Sequence, residues 1–251
     1  MTYNLLIFII LFIGSSIFAD EPLALITKSR GNAKYKISLE SKYRSYAQVN
    51  TPLFNGNKIK TKAKSFAKIV YLDDRTTISV YPKTEVTING TIENRMIKKQ
   101  VDLTAGIVRV QVFGQLASEF KLTTPHSELT CYECDFWVLS DINKGEHFYK
   151  ISGNGLVTNP TILKTLELAN DSTIVSLKDT EMEIFQTPVT ERIYLESLMI
   201  DAGELPAQSE EELAMKIRLA DQSPKTTSNI IEIRLKNALN IERTIILTYT
   251  K

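Results

Sequence analysis

The feature that most constrains this chain is the rhythm of its middle. Gly106 opens Ile107-Val108-Arg109-Val110-Gln111-Val112-Phe113, which Gly114 closes. Val108, Val110 and Val112 alternate with Arg109 and Gln111, so one face of the segment is buried and the other is wet. Similar short runs recur on either side. Ser65 to Leu72 and Thr76 to Tyr81 flank Asp73-Asp74-Arg75 and read as a hairpin around a solvated acidic turn. Glu85-Val86-Thr87-Ile88 runs into Asn89-Gly90, the strongest two-residue hairpin signal. Phe120 to Thr123, Phe136 to Leu139 and His147 to Ile151 follow, with Gly153-Asn154-Gly155 expected as a turn. Ile162 to Leu168, Ser172 to Leu177 and Glu181 to Phe185 complete the series. Many short strands at regular spacing predict a mainly β fold, a sandwich, barrel or roll. Within it, Phe136 and Trp137 are adjacent and face opposite sides of their strand, with core packing the default for both.

The pattern changes after Pro188. Leu195, Leu198, Met199 and Ala202 lie at helical spacing, and Gly203 supplies a stop. Ser209 and Glu212 form a capping box ahead of Leu213, Ile217 and Ala220. Ile231, Leu235, Ala238 and Leu239 align as a third helix, and Thr244 to Tyr249 reads as a last strand. At the other end, Leu5 to Ile13 is an unbroken apolar run, followed by Gly14-Ser15-Ser16-Ile17-Phe18-Ala19. That is the pattern of a signal peptide cut after Ala19, too short for the roughly 20 apolar residues of a spanning helix. The expected organisation is therefore a signal peptide over 1–19, a β domain over 20–187 and a mainly helical region over 188–251 with a possible final strand. Cleavage would leave the protein periplasmic or extracellular, with no membrane span.

Charge narrows the function classes. Thirty basic against 29 acidic residues give a net charge of +1, which argues against a nucleic-acid surface. Lys58, Lys60, Lys62 and Lys64 alternate with Ile59, Thr61 and Ala63 and predict one basic face. Its ordinary reading is a solvated edge strand guarded by lysine, and its sharper one is attraction to an anionic envelope polymer. The sequence holds no nucleophile elbow, zinc-protease helix, phosphate loop or dinucleotide fingerprint, so no catalytic or cofactor-binding residue is assigned and no cofactor is expected. Both Cys and both His fall within one stretch, as His126, Cys131, Cys134 and His147. These are ligand types that zinc prefers, but the spacing matches no standard module and no metal ligand is assigned. A disulfide between Cys131 and Cys134 is preferred, and two unpaired half-buried thiols are the alternative. In a regular strand residues three apart point to opposite faces, so pairing requires Tyr132-Glu133 to turn or bulge.

The segments also have a collinear resemblance to the FecR domain. Gly56-Asn57-Lys58-Ile59-Lys60-Thr61 is similar to that family's opening segment, and Asp73-Asp74 stands at its Asp-Gly turn. Leu103-Thr104-Ala105-Gly106-Ile107-Val108 and Phe120-Lys121-Leu122-Thr123-Thr124-Pro125 follow in the family's order. Cys131 to Val138 falls on its Val-Arg-Gly-Thr-x-Phe-x-Val, with Tyr132, Glu133 and Cys134 replacing Arg-Gly-Thr. Ile151 to Val157 resembles its last hairpin. The likeness runs roughly from Gly31 to Leu177 and implies a FecR-type roll. Regulatory members carry a cytoplasmic sigma-factor-binding region before a membrane span, and about four residues precede the apolar run here. The resemblance thus implies a stand-alone exported domain that is not an enzyme and mediates protein–protein interaction or signal relay with an envelope protein partner. A scaffold binding cell-wall or surface polysaccharide is the alternative.

Overall fold

The computed structural model describes residues 21–43, 45–113, 119–141, 144–205, 229–236 and 242–249, the last two as backbone only. The signal-peptide segment and the Ser209–Glu212 capping box lie outside them. The chain divides into two compact units, Met1–Thr187 and Pro188–Lys251.

The first unit is one hydrogen-bonded sheet of fifteen strands. Its first half comprises β1 (Ala24–Arg30), β2 (Ala33–Lys36), β3 (Ser45–Tyr46), β4 (Pro52–Leu53), β5 (Asn57–Thr61), β6 (Phe66–Tyr71), β7 (Thr77–Val80) and β8 (Glu85–Glu93). The second half comprises β9 (Met96–Val112), β10 (Phe120–Thr123), β11 (Glu128–Asp141), β12 (Gly145–Asn159), β13 (Lys164–Glu167), β14 (Ser172–Ser176) and β15 (Glu183–Gln186). The main path runs β15-β14-β12-β11-β10-β9-β7-β6-β1-β4, with β8, β5, β2 and β3 branching from β9. Ile26, Ile59, Val101, Leu129 and Ile174 sit on well-separated strands yet share one buried cluster. The sheet therefore carries one continuous apolar core across its strands.

β9 makes the branching possible. Its first half pairs with β8 and its second half with β7 and β11. The change falls at Gly106, where φ is +108° and a Cβ would lie 2.5 Å from the Thr84 Cα. The Thr84 hydroxyl accepts the Ile107 N–H at 2.8 Å across this bend. Gly106 is thus a mid-strand bend, where the sequence pattern suggests a strand start.

Two expected turns are strand interior. Asn89-Gly90 lies within β8, and the β8–β9 reversal is made by Asn94 and Arg95, with φ of 51° and 65°. Two consecutive left-handed residues fit a two-residue hairpin turn between Glu93 and Met96, which pair. Gly153-Asn154-Gly155 lies within β12, opposite the bulged part of β11. Phe136 and Trp137 are both core, at 0% and 1% exposure. The Trp137 ring lies 4.7 Å from that of Tyr81.

In the second unit, α1 (Val189–Asp201) buries Leu195 and Leu198 and stops at Gly203, whose φ is 67°. No helix among the described residues is long and apolar enough to cross a membrane. The expected third helix is corrected. Asn229–Lys236 is a strand, β16, pairing antiparallel with β17 (Glu242–Tyr249). The sequence there alternates Ile231, Ile233 and Leu235 with Glu232, Arg234 and Lys236, and it is rich in β-branched isoleucine. Period two and strand propensity outweigh the helical spacing that the same leucines and isoleucines allow. The final strand expected at Thr244 to Tyr249 is present as β17.

Candidate functional site

The Cys/His stretch divides in space. In the structure the sulfurs of Cys131 and Cys134 are joined, with Cα atoms 6.3 Å apart. The register of β11 on β12 slips between Cys131 and Glu133, so a bulge at Tyr132 turns both cysteines to the buried side. Facing the bulge, Gly153 takes φ +80°, and a Cβ there would lie 2.2 Å from the Glu133 carbonyl oxygen. The close backbone approach at this corner is made by Gly153 across the ladder, which accommodates Glu133. His126 and His147 do not join the cysteines. His147 sits in the β12 ladder opposite Leu139, and among the described residues no three His, Cys, Asp or Glu side chains could hold a metal ion.

The His126 backbone N–H instead donates to Glu146 Oε1 at 3.1 Å. Glu146, 1% exposed, also accepts from the Ser127 hydroxyl, within a network that continues through Ser176 to Asn159. Burial pushes its carboxyl above the usual range, against the pull of His126 and the Ser127 and Thr124 hydroxyls.

A second buried charge group occupies the acidic turn. Asp73 and Asp74 are not solvated, for their side chains are 7% and 4% exposed. The Lys99 ammonium lies 2.6 Å from Asp73 Oδ2 and 2.9 Å from Asp74 Oδ2, and donates to the Ile97 carbonyl at 3.2 Å. All three N–H donors of the ammonium are thereby used. Asp74 also accepts the Thr76 N–H at 2.8 Å, and the left-handed residue of the turn is Arg75, one place beyond Asp74. This arrangement is structural, with every charge turned inward.

The outward face of the neighbouring strands is different. β5 contributes Lys58 and Lys60 but ends at Thr61, so Lys62 and Lys64 lie beyond the strand. The basic face is built across strands instead. Lys34 of β2 lies opposite Lys60, and Lys36 lies opposite Lys58, which makes two rows on one face. β5 is paired on both sides, with β2 and β8, so it is not an edge strand. Guarding an edge is therefore not what these lysines do. Two aromatic rings interleave with them. Lys34 Nζ lies 5.4 Å from the Tyr46 ring centroid, and Lys36 and Lys60 lie 5.3 and 5.8 Å from that of Tyr43. Glu85 of β8 accepts from Lys60 at 2.7 Å and from the Tyr43 hydroxyl at 2.9 Å. Burial raises the Glu85 carboxyl, but Lys60, Tyr43 and Lys58 outweigh it and hold the group below the usual range. Burial, reinforced by Glu85, pushes the Tyr43 hydroxyl far up, so it remains a donor.

The polar face continues. Thr87 of β8 lies between Lys58 of β5 and Asp102 of β9, and Asn89 lies opposite Gln100, which in turn lies beside Lys121 of β10. Asp102 accepts from the amides of Asn89 at 2.6 Å and Gln100 at 3.0 Å. Beside them opens a cleft of about 490 Å³, lined among others by Asn55, Asn89, Thr91, Gln100 and Lys121. The sequence signal for this site was half legible. Lys58 and Lys60 were visible as alternation, whereas Lys34, Lys36 and both tyrosines arrive only through strand pairing.

Residues 57–147 match the family described as FecR protein. Two crystal structures, each described as that of a candidate anti-sigma factor from Parabacteroides distasonis ATCC 8503, are among those to which this chain is similar. One is 12% identical, covering 77% of this chain and 98% of that one, with a TM-score of 0.44. The other is 15% identical, covering 77% and 99%, with a TM-score of 0.45. No curated protein matches the chain.

Proposed function

We propose that this chain, which carries a FecR domain, is an exported, non-enzymatic protein of the cell envelope that acts through protein–protein contact or signal relay. The observation that carries this reading is the FecR match over 57–147, which spans the strands from β5 into β12 and so the centre of the sheet. Regulation through protein partners is what such a domain supports. Export draws its support from the apolar run Leu5 to Ile13 and the small residues that end at Ala19.

Two measurements test it. The tagged protein, cross-linked in intact cells and recovered from the envelope fraction, should bring down a defined protein partner. Recovery of glycan alone would sink the relay reading. The mass of the protein from that fraction should correspond to a chain beginning at Asp20. A chain retaining Met1 and confined to the cytosol would refute export.

A further inference from the structure

The four lysines of β2 and β5 stand in an arrangement that works against folding. Lys34 faces Lys60 and Lys36 faces Lys58 across the ladder, where like charges destabilise. Neighbouring strands are about 4.8 Å apart and alternate residues along a strand about 6.7 Å, so the side chains spring from a compact grid. Among the described residues, Glu85 is the only carboxylate in an ion pair with any of the four. The pairing of β5 on both sides removes edge protection as an explanation for Lys58 and Lys60, and β3 covers β2 at Lys34. Four lysines with one ion-paired carboxylate among them keep a surplus of positive charge, which is complementary to an anionic partner.

The rest of the face says which kind of anion. Tyr43 and Tyr46 set rings among the ammonium groups, with Tyr46 58% exposed, and a ring offers an apolar surface with a polar tip. Along β8, Glu85, Thr87 and Asn89 carry the same face onward to the cleft lined by Asn55, Asn89, Thr91 and Gln100. Asn89 and Gln100 each give one N–H to Asp102, which leaves their carbonyl oxygens and second N–H, with the Thr91 hydroxyl, to suit a hydroxyl-rich ligand. Lys98 and Lys121 offset Glu119 in the lining. Carboxylates for the lysines, hydroxyls for the amides and pyranose faces for the rings occur together in one class of polymer. We propose that this face binds an acidic polysaccharide, with Lys34, Lys36, Lys58 and Lys60 holding its carboxylates and the Asn89–Gln100 cleft its hydroxyls. The inference stands whether or not the protein also has a protein partner.

Titration of the purified full chain with polygalacturonate, neutral dextran and polyglutamate separates the contributions. Polygalacturonate should bind with an affinity that falls as salt rises, and dextran should not bind. Polyglutamate, which has the charge without the hydroxyls, should bind about tenfold more weakly, the loss of roughly one good polar contact. K34Q/K36Q/K58Q/K60Q should weaken polygalacturonate binding by about tenfold or more. K68Q/K144Q/K164Q/K178Q, which loses the same charge from positions outside β2, β5 and β8, should stay within about twofold because those groups lie on other strands and turns. T91A/Q100A should weaken polygalacturonate and leave polyglutamate unchanged, a split that misfolding would not produce. Equal or tighter binding of polyglutamate would overturn the proposal in favour of an acidic polypeptide. Equal loss in the two quadruple variants, or no binding of polygalacturonate, would overturn it outright.

Discussion

Lys99 and the lysines of the outer grid sit on connected strands of one sheet and meet opposite fates. The Lys99 side chain is 3% exposed and touches two carboxylates, a carbonyl and the face of Tyr71. Lys60 on the other face has a side chain 50% exposed and shares one carboxylate, Glu85, with Lys58. A charge taken from water has to be matched within the fold, so every donor of Lys99 is committed. A charge left in water is screened, so mismatch on the outer face is tolerated and its donors stay available. Buried lysine here holds the fold together, and exposed lysine is free to bind.

The comparison breaks most visibly at Lys99. Lys99→Ala leaves Asp73 and Asp74 buried together without their cation and should cost about 3–5 kcal/mol, read from urea denaturation at neutral pH. A loss below about 1 kcal/mol would mean that water reaches the site and that the two lysine environments do not differ. Asp74→Asn probes the same group more gently. The amide oxygen still accepts the Thr76 N–H, and Lys99 keeps Asp73 as its counter-ion. About 1 kcal/mol or less should be lost, the scale of one hydrogen bond.

Two glutamates sharpen the contrast between inside and outside, with opposite signs. Glu85 lies below its ordinary value of 4.5 because the lysines outweigh its burial. Its contribution is therefore full above that value and lost as pH falls through the folded pKa. The stability gap between wild type and Glu85→Gln should shrink as the solution is acidified below about pH 4.5. Glu146, buried with hydroxyls and a backbone N–H, lies above 4.5 because burial outweighs the pull of His126 and its hydrogen bonds. The folded state there retains a proton that the unfolded chain gives up, so stability declines as pH rises from 4.5 through the folded pKa. Glu146→Gln keeps an acceptor for His126 and offers its amide to Ser127, so it should raise Tm at pH 7 more than at pH 4. An equal change at both pH values would show that Glu146 carries no ionisation penalty.

Legibility in the sequence follows the same division between local and cross-strand information. Alternation at Val108, Val110 and Val112 revealed β9 and the helical stripe at Leu195 and Leu198 revealed α1, because each pattern is complete within one element. Asn89-Gly90 misled, since the pairing of β8 with β9 carries the strand past it and moves the turn to Asn94-Arg95. Asp73-Asp74 looked like a solvated turn because its partner, Lys99, lies 26 residues away from Asp73 in sequence. The bulge at Tyr132 was required by any pairing of the cysteines, but the glycine that accommodates it sits on the opposite strand, at Gly153. Only half of the grid lay on β5, so the sequence placed its other half on Lys62 and Lys64 when pairing supplies Lys34 and Lys36.

The smallest expected effect is the one that separates binding from folding. In K34Q/K36Q/K58Q/K60Q the glutamines keep most of each aliphatic stem, so the cover over Tyr43 and Tyr46 is largely retained. Two like-charged cross-strand pairs disappear, a relief of about 0.2–1 kcal/mol each. Against this, Glu85 loses its ion pair with Lys60, a half-exposed contact worth up to about 1 kcal/mol, and the rings lose cations worth about 0.5–1 kcal/mol each at such a surface. Gains of about 0.4–2 kcal/mol stand against losses of about 1–3 kcal/mol, so this variant should lie within about 1 kcal/mol of wild type in urea denaturation. A loss of several kcal/mol would place the outer lysines in the same structural class as Lys99. A midpoint within that margin, in a protein whose Lys99→Ala counterpart is badly weakened, would show that folding depends on the lysine of the inner face and not on those of the outer one.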